Sequence, residues 1–254
     1  MSEQVTSEKS VQKGGWKGLI LPFCILSGIL FLSALGTWQV ERLGWKEAMI
    51  ARVERNLNMS PLSVDQIAEL QNNGEDIEYR PVKVRGKFFH DKEQYFFATH
   101  KSKAGWFVYT PMEREDGSIV LVNRGFVPNQ GKDPSTRLKG QVEGVVEIVG
   151  LARSAPATKP NSFVPDNDLK KNIYYWKSMN EMFAQSGFKT GFKPVPFFID
   201  ADDTVNPGNW PKGGVTLINF PNNHLQYAVT WYGLAGTLLV VGGIFMFKRR
   251  RGTI

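Results

Sequence analysis

Two charge-free apolar stretches, Leu19 to Trp38 near one end of the chain and Ala228 to Phe247 near the other, constrain its fold more than any other feature. As helices rising about 1.5 Å per residue, each is about 30 Å long, enough to cross a bilayer core. Pro22, Gly28 and Gly36 would weaken a soluble helix but are tolerated in lipid, where neighbouring groups satisfy the freed backbone atoms. A cleaved signal peptide is the competing reading of the first stretch. Against it, the apolar run exceeds the usual h-region of about 7 to 15 residues, and the small-residue cleavage pattern is weak.

Lys9, Lys13 and Lys17 precede the first stretch, and Lys248, Arg249, Arg250 and Arg251 follow the second. The positive-inside rule then places both termini in the cytoplasm and the middle of the chain outside. Segment 39–227 holds 24 of the 31 Lys and Arg and 22 of the 24 Asp and Glu, so only +2 of the chain's net +7 belongs to it. The basic balance therefore reports membrane topology and gives no reason to expect nucleic acid. The expected organisation is an arm (1–18), a first span (19–38), an external domain (39–227), a second span (228–247) and a basic tail (248–254). Cys24, the one cysteine, lies inside the first span, so the external domain relies on its core and not on disulfides. Glu3 and Glu8, with no arginine beside them, argue against a mitochondrial presequence. A bacterial inner membrane with a periplasmic domain is the simplest address.

Within that domain the spacing of Leu43, Met49, Ile50, Val53 and Leu57 predicts a juxtamembrane helix. Ser63 with Gln66 predicts a capped helix to about Gln71, and Ser178 with Glu181 another ending near Gly187. Val82, Val84 and Phe88 with Gln94 to Ala98 suggest one strand pair. GWFVYTPMEREDGSIVLVNRGFVP suggests another, folded at Asp116 and Gly117, and Gly144 to Arg153 and Val195 to Asp200 add further strands. The proline-rich segment Ser154 to Asp168 reads as a surface loop. The fold class is α+β: two transmembrane helices flanking a mostly antiparallel β domain with a few helices.

Three histidines and no external cysteine leave little for catalysis or metal binding. HExxH, CxxC, P-loop and CxxCH patterns are all missing. Asp200, Asp202 and Asp203 read as a solvated turn, and His90 and His100 as turn histidines around one strand. Arg124, between Asn123 and Gly125 on the best hairpin, either grips an anionic group or stabilises the strand. His224 differs because of its surroundings. With Tyr227 and Trp231 it falls at helical spacing where the second apolar stretch begins, and Trp38 ends the first. Such a group suits an axial haem ligand with aromatic walls, but this chemistry alone favours an interfacial histidine in an aromatic belt. Small residues in the second stretch, Gly233, Ala235, Gly236, Gly242 and Gly243, permit close helix contact.

GTWQVERLGWK, YRPVKVRGKF, GWFVYTPMEREDGSIVLVNRGFVP and FPNNHLQYAVTWYGLA, in that order from Leu19 to Phe247, together resemble the surfeit locus protein 1 family. The resemblance implies a two-span membrane assembly factor for cytochrome c oxidase that is not an enzyme. It further implies help with haem a insertion into subunit I, alongside other assembly or haem a synthesis proteins, with His224 as candidate ligand of the haem iron. Trp38, Arg42, Arg124, Gly125 and Asn223 carry over as motif positions without assigned chemistry. A scaffold that holds no haem and a periplasmic-face enzyme are the alternatives.

Overall fold

The computed structural model describes residues 17–188, 191–218 and 220–251. Lys9 and Lys13, expected to flank the first span, lie outside the described residues, as do the last three residues of the basic tail. The chain divides into two units, one formed by its two ends (up to Ile50 and from Phe220) and one by Ala51–Asn219.

The first unit is a helix pair. Helix α1 runs Lys17–Leu57, so the first expected span and the juxtamembrane helix are one continuous element. Its partner α4 runs His224–Arg250 and ends in the basic turn Lys248, Arg249 and Arg250. Both are long and apolar enough to cross a membrane. Residues shielded from solvent recur at steps of three and four: Ile25, Ile29, Leu32, Gly36 and Gln39 on α1, and His224, Ala228, Trp231, Ala235, Leu238 and Gly242 on α4. The two seams meet antiparallel. A Cβ on Gly36 would lie 2.9 Å from the Tyr232 ring, one on Gly28 2.9 Å from Leu238 and one on Gly242 2.9 Å from Ile25. Thr37 Oγ1 and the Tyr232 hydroxyl lie 2.9 Å apart and close the seam with a hydrogen bond. Of the small residues expected at the contact, Ala235 and Gly242 are there, whereas Gly233, Gly236 and Gly243 have open space where a Cβ would go. Large side chains such as Phe23, Leu30, Phe31 and Val240 face outward. Small residues inside and large apolar residues outside suit helices whose surroundings are lipid.

The second unit is built on a closed five-stranded barrel. Strands β1 (Leu62–Ser63), β2 (Pro81–Phe88), β3 (Gln94–His100), β4 (Lys103–Arg114), β5 (Ser118–Pro128), β6 (Val145–Ser154), β7 (Ile173–Tyr174) and β8 (Lys193–Ala201) form one sheet. Within it β2, β6, β8, β5 and β4 pair in a ring that closes where Phe88 meets Met112. The β5–β8 pair is parallel and the other four ring pairs are antiparallel. Strand β3 lies on β4, and β7 runs parallel beside β3. Closure gives β5 a paired neighbour on each side and buries its inner face, and a second cluster covers the outer one. Val120 and Val122 point into an interior shared with Val82, Val84, Met112, Phe197 and Ile199. Ile119 and Leu121 point outward into a second cluster with Tyr109, Phe198 and Met182.

The expected hairpin folds at Gly117, with φ +75°, whose N–H donates to Arg114 O at 3.0 Å. Helix α2 (Val64–Asn72) carries the complete Ser63–Gln66 capping box, and α3 (Met179–Gln185) is capped by Ser178. The expected pairing of β2 with β3 is not formed. No tight turn joins them, and the short 3-10 turn His90–Lys92 redirects the chain so that β2 pairs with β4 and β6 and β3 with the other side of β4.

Candidate functional site

His224 is the first residue of α4, and its seam position sets its chemistry. It lies opposite Gln39, a buried polar side chain on an otherwise apolar seam. The imidazole Nδ1–H donates to Gln39 Oε1 at 2.7 Å. Because a glutamine carbonyl only accepts, this bond holds the proton on Nδ1, fixes the ring plane and leaves the lone pair on Nε2. No other side chain among the described residues engages Nε2. A ring held this way is prepared to ligate a metal or accept a proton through Nε2.

Trp231 shares the seam face with His224, two turns along α4, with Ala228 fully buried between them. Tyr227 and Trp38 are not brought into that group. They are 53% and 51% exposed, each about 100° around its helix from the seam residue beside it, Ala228 and Gln39. Arg42 is exposed on α1, its guanidinium 4.6 Å from the centre of the Trp45 ring. Asn223 is the N-cap residue of α4 and makes no side-chain capping bond. Gln39 was not visible as a site residue from sequence. The signal that could have found it is its place in the three-and-four spacing of shielded residues on α1.

Arg124 lies in the second unit, in a buried ionic cluster. Its guanidinium donates to Gly140 O, to Asn206 Oδ1 at 3.2 Å and to His90 Nδ1 at 3.3 Å, and lies 3.6 Å from Glu93 Oε1. Arg137 grips the same carboxylate with both terminal nitrogens. The side chains of Glu93, Arg124 and Arg137 are almost fully buried. Burial raises the Glu93 carboxyl, but His90, Arg137 and Arg124 outweigh it and hold the group below the usual carboxylate range. Burial lowers Arg124, with Glu93 opposing. Both terminal nitrogens of Arg124 are engaged from within the fold, which favours the structural reading of this arginine. His90, expected as an ordinary turn histidine, is part of the same cluster, and its Nε2–H donates to Val142 O at 3.0 Å. Asp200 is likewise not a solvated turn residue: it is buried on β8 against Asn123, Arg153 and Thr216. Among the described residues no group of three or more His, Cys, Asp and Glu has the arrangement of a metal site.

Gly125 has φ +122°, and a Cβ there would lie 2.0 Å from Lys212 O. This close approach lets Phe126 and Lys212 exchange two backbone hydrogen bonds of 2.9 Å. Gly125→Ala is expected to cost about 2 to 3 kcal/mol through backbone strain and the displaced bridge. Thermal melting of the purified variant checks this, and an unchanged midpoint would mean the bridge contributes nothing.

A family model described as the SURF1 family matches residues 26–236. The chain is 39% identical to Surfeit locus protein 1 of Rattus norvegicus over 228 residues, covering 81% of this chain and 70% of that protein. It is 38% identical to Surfeit locus protein 1 of Xenopus tropicalis over 248 residues, covering 90% and 74%. A SURF1-like protein of Monosiga brevicollis is 34% identical over 264 residues, covering 98% of this chain and 95% of its own length.

Proposed function

The chain belongs to the SURF1 family, and from that premise we propose that it is a membrane-anchored assembly factor for cytochrome c oxidase that assists haem a insertion into subunit I. It acts as a chaperone and not as a catalyst. The helix pair is set in a bacterial inner membrane, with both termini cytoplasmic and the barrel periplasmic, as the charges around the spans expect. Its partners are subunit I, other oxidase assembly or haem a synthesis proteins, and the lipid around the spans.

The observation that supports a haem-handling role is the Gln39–His224 hydrogen bond of 2.7 Å. Haem iron takes an axial imidazole through an unprotonated nitrogen, and a hydrogen bond on the other ring nitrogen orients such ligands and raises their basicity. His224 with Gln39 meets both requirements, so the residues present fit an axially ligated haem. Trp231 extends the same face, and Tyr227 and Trp38 offer aromatic surface on its flanks. Haem supplies the redox centre that the oxidase needs, while this chain's residues hold and orient it.

Removing the gene from its host is expected to lower both haem a content and oxidase activity in isolated membranes. Restoring the native chain recovers both. Unchanged haem a and activity after removal would defeat the reading.

A further inference from the structure

A cavity of about 350 Å³ opens in the barrel unit and is unused by the proposed haem-handling role. Its walls combine the rings of Phe96, Phe97 and Phe107 with His100, Arg153 and Lys177. The volume suits one substituted aromatic ring, near the small end of ligand pockets.

Two polar groups in this wall lack a hydrogen-bond partner within the described residues. The Lys177 ammonium lies 5.5 Å and 5.7 Å from the ring centres of Tyr109 and Phe198, both buried. No carboxylate or carbonyl among the described residues lies within ion-pair or hydrogen-bond distance of it. Asp200 is the carboxylate in the same wall, and its oxygens are already taken by Asn123 Nδ2 at 3.0 Å, Arg153 Nη1 at 3.3 Å and Thr216 Oγ1 at 3.0 Å. Glu78 is taken too, by Arg153 Nε at 2.7 Å and the Ser154 N–H at 2.9 Å. Lys177 therefore keeps three N–H donors with no acceptor in a largely apolar setting. Burial pushes it below the usual lysine range, with Asp200 opposing. The second unsatisfied atom is His100 Nε2, which is buried without a hydrogen bond. Lys177 is only partly exposed, and an ammonium that faces a cavity with no acceptor from the fold is matched by an occupant that supplies one.

We propose that this cavity binds a small aromatic carboxylate, its ring against the phenylalanine walls and its carboxylate on the Lys177 ammonium. A carboxylate fits because Asp200 and Glu78 spend their hydrogen bonds on Asn123, Arg153, Thr216 and Ser154, which leaves the ammonium's donors to an incoming oxygen. A flat apolar body fits because three aromatic rings line the space and the surrounding acids are already engaged.

The test uses the full chain in detergent micelles with 4-fluorophenylacetate as the probe, followed by fluorine NMR, with partition into protein-free micelles subtracted. The native chain is expected to bind the acid saturably, and its uncharged amide about tenfold more weakly or worse, because a charge-assisted hydrogen bond is lost. Lys177→Met should weaken acid binding by a similar factor while its melting midpoint stays near native, and Lys177→Arg should retain most of it. Equal binding of acid and amide to the native chain, equal binding by Lys177→Met, or no saturable binding at all would each overturn the assignment. The acid–amide comparison decides the matter even if Lys177→Met does not fold.

Discussion

Glu93→Ala is expected to destabilise the barrel unit by about 3 to 5 kcal/mol, because it leaves the Arg124 and Arg137 guanidiniums buried without their shared counter-ion. Against a total stability of about 5 to 15 kcal/mol, that loss brings the unit near the folding threshold. The melting midpoint should fall by roughly 6 to 20 °C. Acidification reaches the same weakness by another route. Because the folded state holds the Glu93 carboxyl below its ordinary value of 4.5, the contribution is fully present above that value and is lost as pH falls through the lower folded value. The native chain should therefore lose stability below about pH 4.5, and Glu93→Gln should show a shallower loss over the same range. A Glu93→Ala midpoint within a degree or two of native would mean the arginines are satisfied without the carboxylate.

The second large effect concerns His224. On the proposed haem-handling role, replacing it with alanine removes the helix pair's imidazole and is expected to abolish haem ligation outright. Gln39→Leu keeps the ligand but deletes the bond that fixes its tautomer and ring plane. Loss of an orienting partner of this kind typically weakens metal affinity about 10- to 100-fold. The two substitutions should therefore be graded, with haem absent in one and weakly held in the other. If Gln39→Leu binds as tightly as the native chain, the hydrogen bond is ornamental to the ligand's role.

What could be read from the sequence was what short-range chemistry encodes. The Ser63–Gln66 box and the Asp116–Gly117 turn involve residues three apart or adjacent, and both formed as expected. The apolar stretches became long helices because their composition permits little else. Ring closure between β2 and β4 and the parallel β5–β8 pair join segments distant in the chain, and no local pattern specifies such partners. The same separation hid the ionic cluster, in which His90, Glu93, Arg124, Arg137 and Asn206 meet only after the barrel closes. At the helix pair His224 stood out because a histidine at the border of an apolar stretch is conspicuous. Gln39 did not stand out, since its meaning depends on which face of α1 meets α4. Tyr227 and Trp38 read as partners from spacing and position, and the seam geometry turned them outward.

The most direct test of the haem-handling account is the visible absorption spectrum of the detergent-purified chain, produced in cells that make haem a, beside that of His224→Ala. A haem spectrum is expected from the native chain and none from the variant. A native chain without haem that still brings oxidase subunits through purification would contradict it, and would leave a scaffold that organises its partner without holding the cofactor.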